Sequence, residues 1–180
     1  MDQQQQLFNA CEQGRVDEVK KSLKNPKLDI NCEDSFGRTP FFLSCRFGQY
    51  DVVKLLLKNE RVDVMKPTNN GCSPFSVTCY YGHFEIVKLL LKDDRIDVNK
   101  ADAFGMTPLY TACEKGQIEI VKYLLANGRD VDIKAKDTQG KAAIDIAKEK
   151  GKIDVVQLLE SYERDLNETK REFDLLGKSD

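Results

Sequence analysis

The chain of 180 residues has no tryptophan, a single histidine and no apolar run of the about 18 residues that a membrane span requires. Its first six residues, Met-Asp-Gln-Gln-Gln-Gln, are neither basic nor apolar enough for a signal peptide. Neither sign of charge dominates, because 28 basic and 30 acidic residues are mixed along the chain and leave a net charge of −2. We therefore expect a soluble, cytoplasmic or nuclear protein with neither membrane nor nucleic acid as a partner.

Residues that could form a catalytic or metal site are also scarce. His83 is the only histidine, and the chain has no Cys-x-x-Cys pair, cysteine–histidine cluster, nucleophile motif or phosphate-binding loop. We expect no enzyme, no cofactor and no metal.

What the sequence does contain is a repeat of 34 residues, marked by a cysteine followed three positions later by a glycine. A fifth glycine, Gly151, comes 35 residues after the last of these and has Lys148 in place of the cysteine. A period of this length indicates a solenoid, in which each unit buries its apolar face against its neighbours. Equivalent cysteines would lie about 10 Å apart, too far for a disulfide, so we expect reduced packing residues. The four pairs are Cys11/Gly14, Cys45/Gly48, Cys79/Gly82 and Cys113/Gly116.

Each middle unit opens with a tight turn and a helix start. The second unit reads Asp34-Ser-Phe-Gly37-Arg-Thr39-Pro40, and the third and fourth repeat the pattern at residues 68–74 and 102–108. The glycine supplies a positive φ, the Ser or Thr caps the helix, and proline suits its first position. This pattern predicts short inner helices over 40–46, 74–80 and 108–114. An amphipathic outer helix follows each glycine, as in Asp51-Val-Val-Lys-Leu-Leu-Leu57.

This order of elements closely resembles the ankyrin repeat over about residues 5–160. The opening resembles the family's Asp-x-x-Gly-x-Thr-Pro-Leu-His, and residues 82–91 resemble its Gly-His-x-Glu-Ile-Val-x-x-Leu-Leu. The resemblance implies a structural role for His83, which occupies the histidine position of the second motif. Tetratricopeptide repeats also have 34 residues but lack the Gly-x-Thr-Pro turn. The family histidine of the Thr-Pro-Leu-His stretch is replaced in every unit, so we expect its structural hydrogen bond to be missing. The replacing residues are Phe42, Ser76, Tyr110 and Asp145.

The resemblance implies an all-α repeat solenoid, an ankyrin array of helix-turn-helix units joined by β-hairpin-like turns, with a C-terminal helical extension. Its five units, counting terminal caps, would span residues 1–33, 34–67, 68–101, 102–136 and 137–162. Apolar spacing from Val155 to Leu176 predicts that the last outer helix continues into the extension, 163–180, before Gly177 ends it. A charged tail without regular structure is the alternative. We expect a monomer, unless the extension pairs two copies.

The resemblance also implies a non-enzymatic module that binds another protein through a concave groove and its turn tips. An inhibitor or regulatory subunit that occludes a partner enzyme is the alternative function. Family resemblance further raises hydroxylation of Asn31 or Asn99. Some aromatic side chains of these units could pack between units rather than contact a partner, namely Phe42 and one of Tyr80 and Tyr81. The groove positions that we predict to contact the partner are Phe36, Arg38, Arg46, Phe47, Asn69, Asn70, Tyr80, Tyr81, Phe104, Met106, Tyr110, Glu114 and Lys115.

Overall fold

The computed structural model describes residues 3–127 and 130–176, and this part of the chain forms ten helices in five pairs. The first helix of each pair is an inner helix and the second an outer helix. The inner helices are α1 (Gln3–Glu12), α3 (Pro40–Arg46), α5 (Pro74–Tyr81), α7 (Pro108–Lys115) and α9 (Ala143–Glu149). The outer helices are α2 (Val16–Leu23), α4 (Tyr50–Leu57), α6 (Phe84–Leu90), α8 (Ile118–Asn127) and α10 (Ile153–Leu176).

The helix pairs stack in chain order. Each inner helix packs on the inner helix of the next unit, each outer helix packs on the next outer helix, and the two helices of a pair contact each other. An isolated antiparallel bridge between Lys136 and Ala142 is the only β pairing among the described residues. The predicted all-α repeat solenoid is confirmed.

Hydroxyl caps begin the inner helices of the middle units. The Oγ1 atom of Thr39 accepts the Phe42 N–H at 3.1 Å, and Ser73 and Thr107 cap α5 and α7 in the same way. The helices start at the predicted prolines, which confirms those starts. Helices α5 and α7 run one residue beyond their predicted ends, because the glycine that follows each of them is the first residue with a positive φ.

The repeated cysteines form part of the core. Cys11, Cys45, Cys79 and Cys113 are fully buried and unpaired with any other cysteine. Burial raises the pKa of the Cys45 thiol to about 12, so it remains a protonated, apolar packing group at neutral pH. The prediction that these cysteines are packing residues is confirmed.

The residue after three of the repeated glycines connects its unit to the one before. In three consecutive units a side-chain nitrogen at this position lies within hydrogen-bond distance of a carbonyl near the end of the preceding inner helix. The predicted structural role of His83 is therefore confirmed. The pairs are Gln49 Nε2 and the Glu12 oxygen (2.7 Å), His83 Nε2 and the Arg46 oxygen (2.9 Å), and Gln117 Nε2 and the Tyr80 oxygen (3.2 Å).

The loops between units are joined by asparagine amides. Asn31 donates to the Arg61 carbonyl at 2.7 Å and accepts the Asp63 N–H at 2.8 Å, and Asn99 makes the equivalent two bonds to a later loop. Both amides thus hold adjacent loops together. Hydroxylation of either residue stays a prediction.

The last outer helix, α10, is continuous from Ile153 to Leu176 and confirms the predicted helical extension; Gly177 lies outside the described residues. It packs on α8 and α9, with Val155 and Leu159 buried. The Tyr162 hydroxyl donates to the Leu125 carbonyl at 3.4 Å. The part of α10 up to Tyr162 therefore belongs to the solenoid, while self-association through the extension stays a prediction.

Candidate functional site

A cavity of about 620 Å³ lies between the turn tips and the inner helices of the second to fourth units. We call it the groove. Its floor is formed by α3, α5 and α7, and its wall by the three turns that precede these helices. Ten of the thirteen residues predicted from the sequence line it. They are Phe36, Arg38, Arg46, Asn69, Asn70, Tyr80, Tyr81, Phe104, Met106 and Glu114.

An aspartate organises the turn of the second unit. One carboxylate oxygen of Asp34 accepts the N–H groups of Phe36 and Arg38, both at 2.9 Å, and the other accepts from the Arg38 side chain at 2.6 Å. Burial disfavours the Asp34 carboxylate, but these hydrogen bonds outweigh it and lower its pKa. The turn therefore keeps its shape and directs Phe36 to solvent, where 63% of the residue is exposed.

Backbone hydrogen bonds join successive turn tips into one wall. The N–H of Asn69 donates to the Phe36 carbonyl at 3.0 Å, and that of Ala103 donates to the Asn70 carbonyl at 2.9 Å. The same link continues beyond the fourth unit, from the Thr138 N–H to Phe104. Because each tip is tied to the next, the wall is continuous along the three units.

Rings and cations alternate at the ends of the inner helices. The Arg46 guanidinium lies 5.0 Å from the centre of the Tyr81 ring and 5.8 Å from that of Phe47. Tyr81 meets Tyr80 edge to face with 5.0 Å between centres, and the Lys115 ammonium lies 4.3 Å from the Tyr80 centre. Each cation–ring contact is worth about 0.5–1 kcal/mol at an exposed site. These contacts orient the rings while leaving Tyr81 41% exposed.

Two aromatic side chains of the inner helices, Phe42 and the predicted contact Tyr110, are buried. Phe42 is buried, which agrees with the alternative that it packs inside the array rather than against a partner. Tyr110 is only 5% exposed, and its hydroxyl donates to the Asp137 carboxylate of the next unit at 2.7 Å. The expectation that Tyr110 presents its ring to a partner is wrong, because the fifth unit covers that face of α7. At this one of the four positions that lack the family histidine, the replacing side chain therefore makes a hydrogen bond to the next unit.

Phe47 and Lys115 do not line the groove but are exposed beside it, at the ends of α3 and α7. Seven lining residues are not among the thirteen predicted contacts: Phe42, Thr68, Cys72, Ser76, Val77, Asp102 and Thr111. Val77 and Thr111 each lie three residues before a predicted floor residue on the same helix, so helical spacing was the signal that could have found them.

The charges of the groove differ in how they are compensated. Arg38 forms an ion pair with Asp34 at 2.6 Å. Among the residues that the structure describes, neither Arg46 nor Glu114 has an ion-pair partner. Lys115 is next to Glu114 but leans over Tyr80, and a hydrogen bond with Tyr80 and the charge of Glu114 raise its pKa. The groove can thus bind by apolar contact, hydrogen bonds and charge.

No cluster of metal-binding side chains occurs in residues 3–127 and 130–176, and no helix there has the length and apolar character needed to cross a membrane. A family model for ankyrin repeats in three copies matches residues 7–102 and again residues 95–170. The chain belongs to the ankyrin repeat family. Ankyrin repeats are, as a family, non-enzymatic modules for protein–protein interaction. No curated protein matches the chain.

Proposed function

We propose that this ankyrin repeat protein binds an extended segment of a partner protein in the groove of its second to fourth units. The observation that carries the proposal is the exposure of three rings, Phe36, Tyr81 and Phe104, around one cavity. Single exposed apolar residues are ordinary on protein surfaces, but apolar residues grouped within a polar rim are typical of interaction sites.

The composition of the groove supports a protein partner. Tyrosine and arginine are enriched among the residues that contribute most to binding, and the floor presents Tyr80, Tyr81 and Arg46. The rings are already oriented by neighbouring cations, so little side-chain entropy is lost when a partner binds. A long, open trough of this kind suits an extended segment that follows the stacking direction of the units.

Replacing both Tyr81 and Phe104 with alanine tests the proposal. Because both rings are substantially exposed, with Phe104 at 53%, we expect the free energy of unfolding to change little. Loss of two ring contacts should weaken partner binding by about 2 kcal/mol or more, roughly thirtyfold. The measurement is quantitative capture of the partner from the native extract, with thermal unfolding of each variant measured in parallel.

Tyr50 provides the matched control, because it is an exposed ring, at 38%, that lies on α4 outside the groove. Tyr50→Ala should leave capture unchanged. Equal losses in the control and the double variant would contradict groove binding, as would a collapse of thermal stability in the double variant. Assaying a captured enzyme with and without the bound chain separates a scaffold from an inhibitor, since only an inhibitor lowers its activity.

A further inference from the structure

The groove floor has a line of repeat-equivalent side chains that differ in charge. Arg46, Tyr80 and Glu114 each stand two residues before a repeated glycine, and all three line the cavity. Their helices α3, α5 and α7 pack directly on one another. At about 10 Å for each helix-packing step, the Arg46 and Glu114 side chains begin about 20 Å apart.

Arg46 and Glu114 are half-buried, and neither forms an ion pair with a described residue. The corresponding residue of the fifth unit, Glu149, forms an ion pair with Lys141. The Arg46 cation is held between two rings rather than by a carboxylate. The floor therefore leaves two opposite charges, one at each end, for a ligand to compensate.

The turn wall adds to the negative end. Asp102 lines the groove in the same unit as Glu114, and its carboxylate accepts the N–H groups of Phe104 and Met106 at 2.9 Å without an ion pair to a described cation. At the opposite end, Arg38 is already compensated by Asp34. The groove thus runs from a free positive charge in the second unit, past the Tyr80 ring, to negative charge in the fourth.

We propose that the bound segment carries an acidic and a basic side chain about six residues apart, since an extended chain rises about 3.3 Å per residue. The acidic side chain meets Arg46, the basic one meets Glu114, and an apolar side chain between them packs on Tyr80. Complementary charge at the two ends sets the direction in which the segment lies, because the reversed segment would place like charges together. This inference rests on the proposed function of the groove.

A library of random peptides displayed on phage tests the charge order. It is selected in parallel on the wild type and on the double variant Arg46→Glu and Glu114→Arg. We expect the wild type to enrich peptides with an acidic and a basic residue about six positions apart in one preferred order. The charge-swapped variant should enrich the opposite order. The matched control exchanges the exposed pair of α6, Glu85→Lys and Lys88→Glu, and should select the same peptides as the wild type.

A synthetic copy of the most enriched peptide gives a second measurement. Changing its acidic residue to lysine should weaken binding to the wild type about tenfold and strengthen binding to Arg46→Glu. A contrary result is that the selected peptides depend on Tyr81 and Phe104 for binding but show the same charge order on both proteins, or no charge order on either. Either outcome would overturn the charge inference and leave groove binding standing. Failure to select any peptide that depends on those rings would contradict the proposed function itself. Thermal unfolding establishes that each variant is folded.

Discussion

The middle units and the fifth unit share one repeat but use equivalent positions in opposite ways. In the fifth unit Glu149 pairs with Lys141, and Lys148 pairs with Glu160 of α10. In the middle units Arg46 and Glu114 have no such partners among the described residues. A terminal unit has no following unit to cover it, so its polar groups are compensated within the chain. The middle units instead leave rings and charges open toward the groove, and this difference supports the proposed binding surface.

Substitution of the turn glycines should give the largest difference in the free energy of unfolding between the middle units and the fifth unit. A Cβ atom on Gly71 would lie 2.9 Å from the Ala103 backbone nitrogen, whereas one on Gly140 would meet nothing within 4 Å. Both have a positive φ, so Gly140→Ala should cost about 1–2 kcal/mol. Gly71→Ala should cost about 3 kcal/mol and weaken groove binding, because it also pushes the wall apart. Urea unfolding measures both changes in stability. Equal losses of stability would mean that the close contact between the turn tips at Gly71 contributes nothing further.

The helix caps should give the next largest effect. Ser73 is buried and its Oγ accepts the Ser76 N–H at 3.0 Å, so Ser73→Ala should cost about 1–2 kcal/mol. The fifth unit has Ala142 at this position, although Asp145 already accepts the Ala142 N–H at 2.9 Å. Ala142→Ser would complete a reciprocal capping box and should add about 0.5–1 kcal/mol. Chemical denaturation would contradict this account if both substitutions were neutral.

The bond between His83 and the Arg46 carbonyl should have a smaller effect. His83→Ala removes this link between the second and third units and should cost about 1 kcal/mol. His83→Gln should remain within about 0.5 kcal/mol of the wild type, because Gln49 and Gln117 make the same link in neighbouring units. Unfolding midpoints compare the two variants. If glutamine is as damaging as alanine, the ring stacking of His83 on Tyr81 matters more than the hydrogen bond.

The hydrogen bond between Tyr110 and Asp137 joins the fourth unit to the fifth. Its removal should have the smallest effect on stability, and that effect should depend on pH. Hydrogen bonds from the Lys141 N–H and the Tyr110 hydroxyl lower the pKa of Asp137. A carboxylate with a lowered pKa stabilises the fold above its unfolded pKa of about 3.9, and this contribution disappears as pH falls through the folded value. Tyr110→Phe should therefore lower the melting temperature at pH 7 and differ less from the wild type in strong acid.

A melting-temperature difference between Tyr110→Phe and the wild type that stays constant from neutral pH to strong acid would contradict the role of the ionised carboxylate. Tyr123→Phe is a suitable control, because Tyr123 contacts Phe84 through its ring on the outer helices. That variant should show no change in pH dependence.

Much of the fold could be predicted from the sequence, because the relevant signals act over a few residues. The Thr-Pro and Ser-Pro pairs marked where α3, α5 and α7 begin, and the repeated glycines marked where they end. Repeat spacing also placed most of the groove residues on one surface. The burial of Tyr110 could not be predicted in this way, because α9 and the turn of the next unit cover it.

The sequence by itself determined a five-unit ankyrin solenoid, since turn, cap and amphipathic signals repeat at a fixed interval and each acts locally. Only the tertiary structure decided which rings stay open and which charges remain without an ion pair. Equivalent positions, such as Glu114 and Glu149, have the same residue type and different surroundings. Their exposure and compensation depend on what the neighbouring unit places against them, and that depends on the stacking of helices distant in the chain.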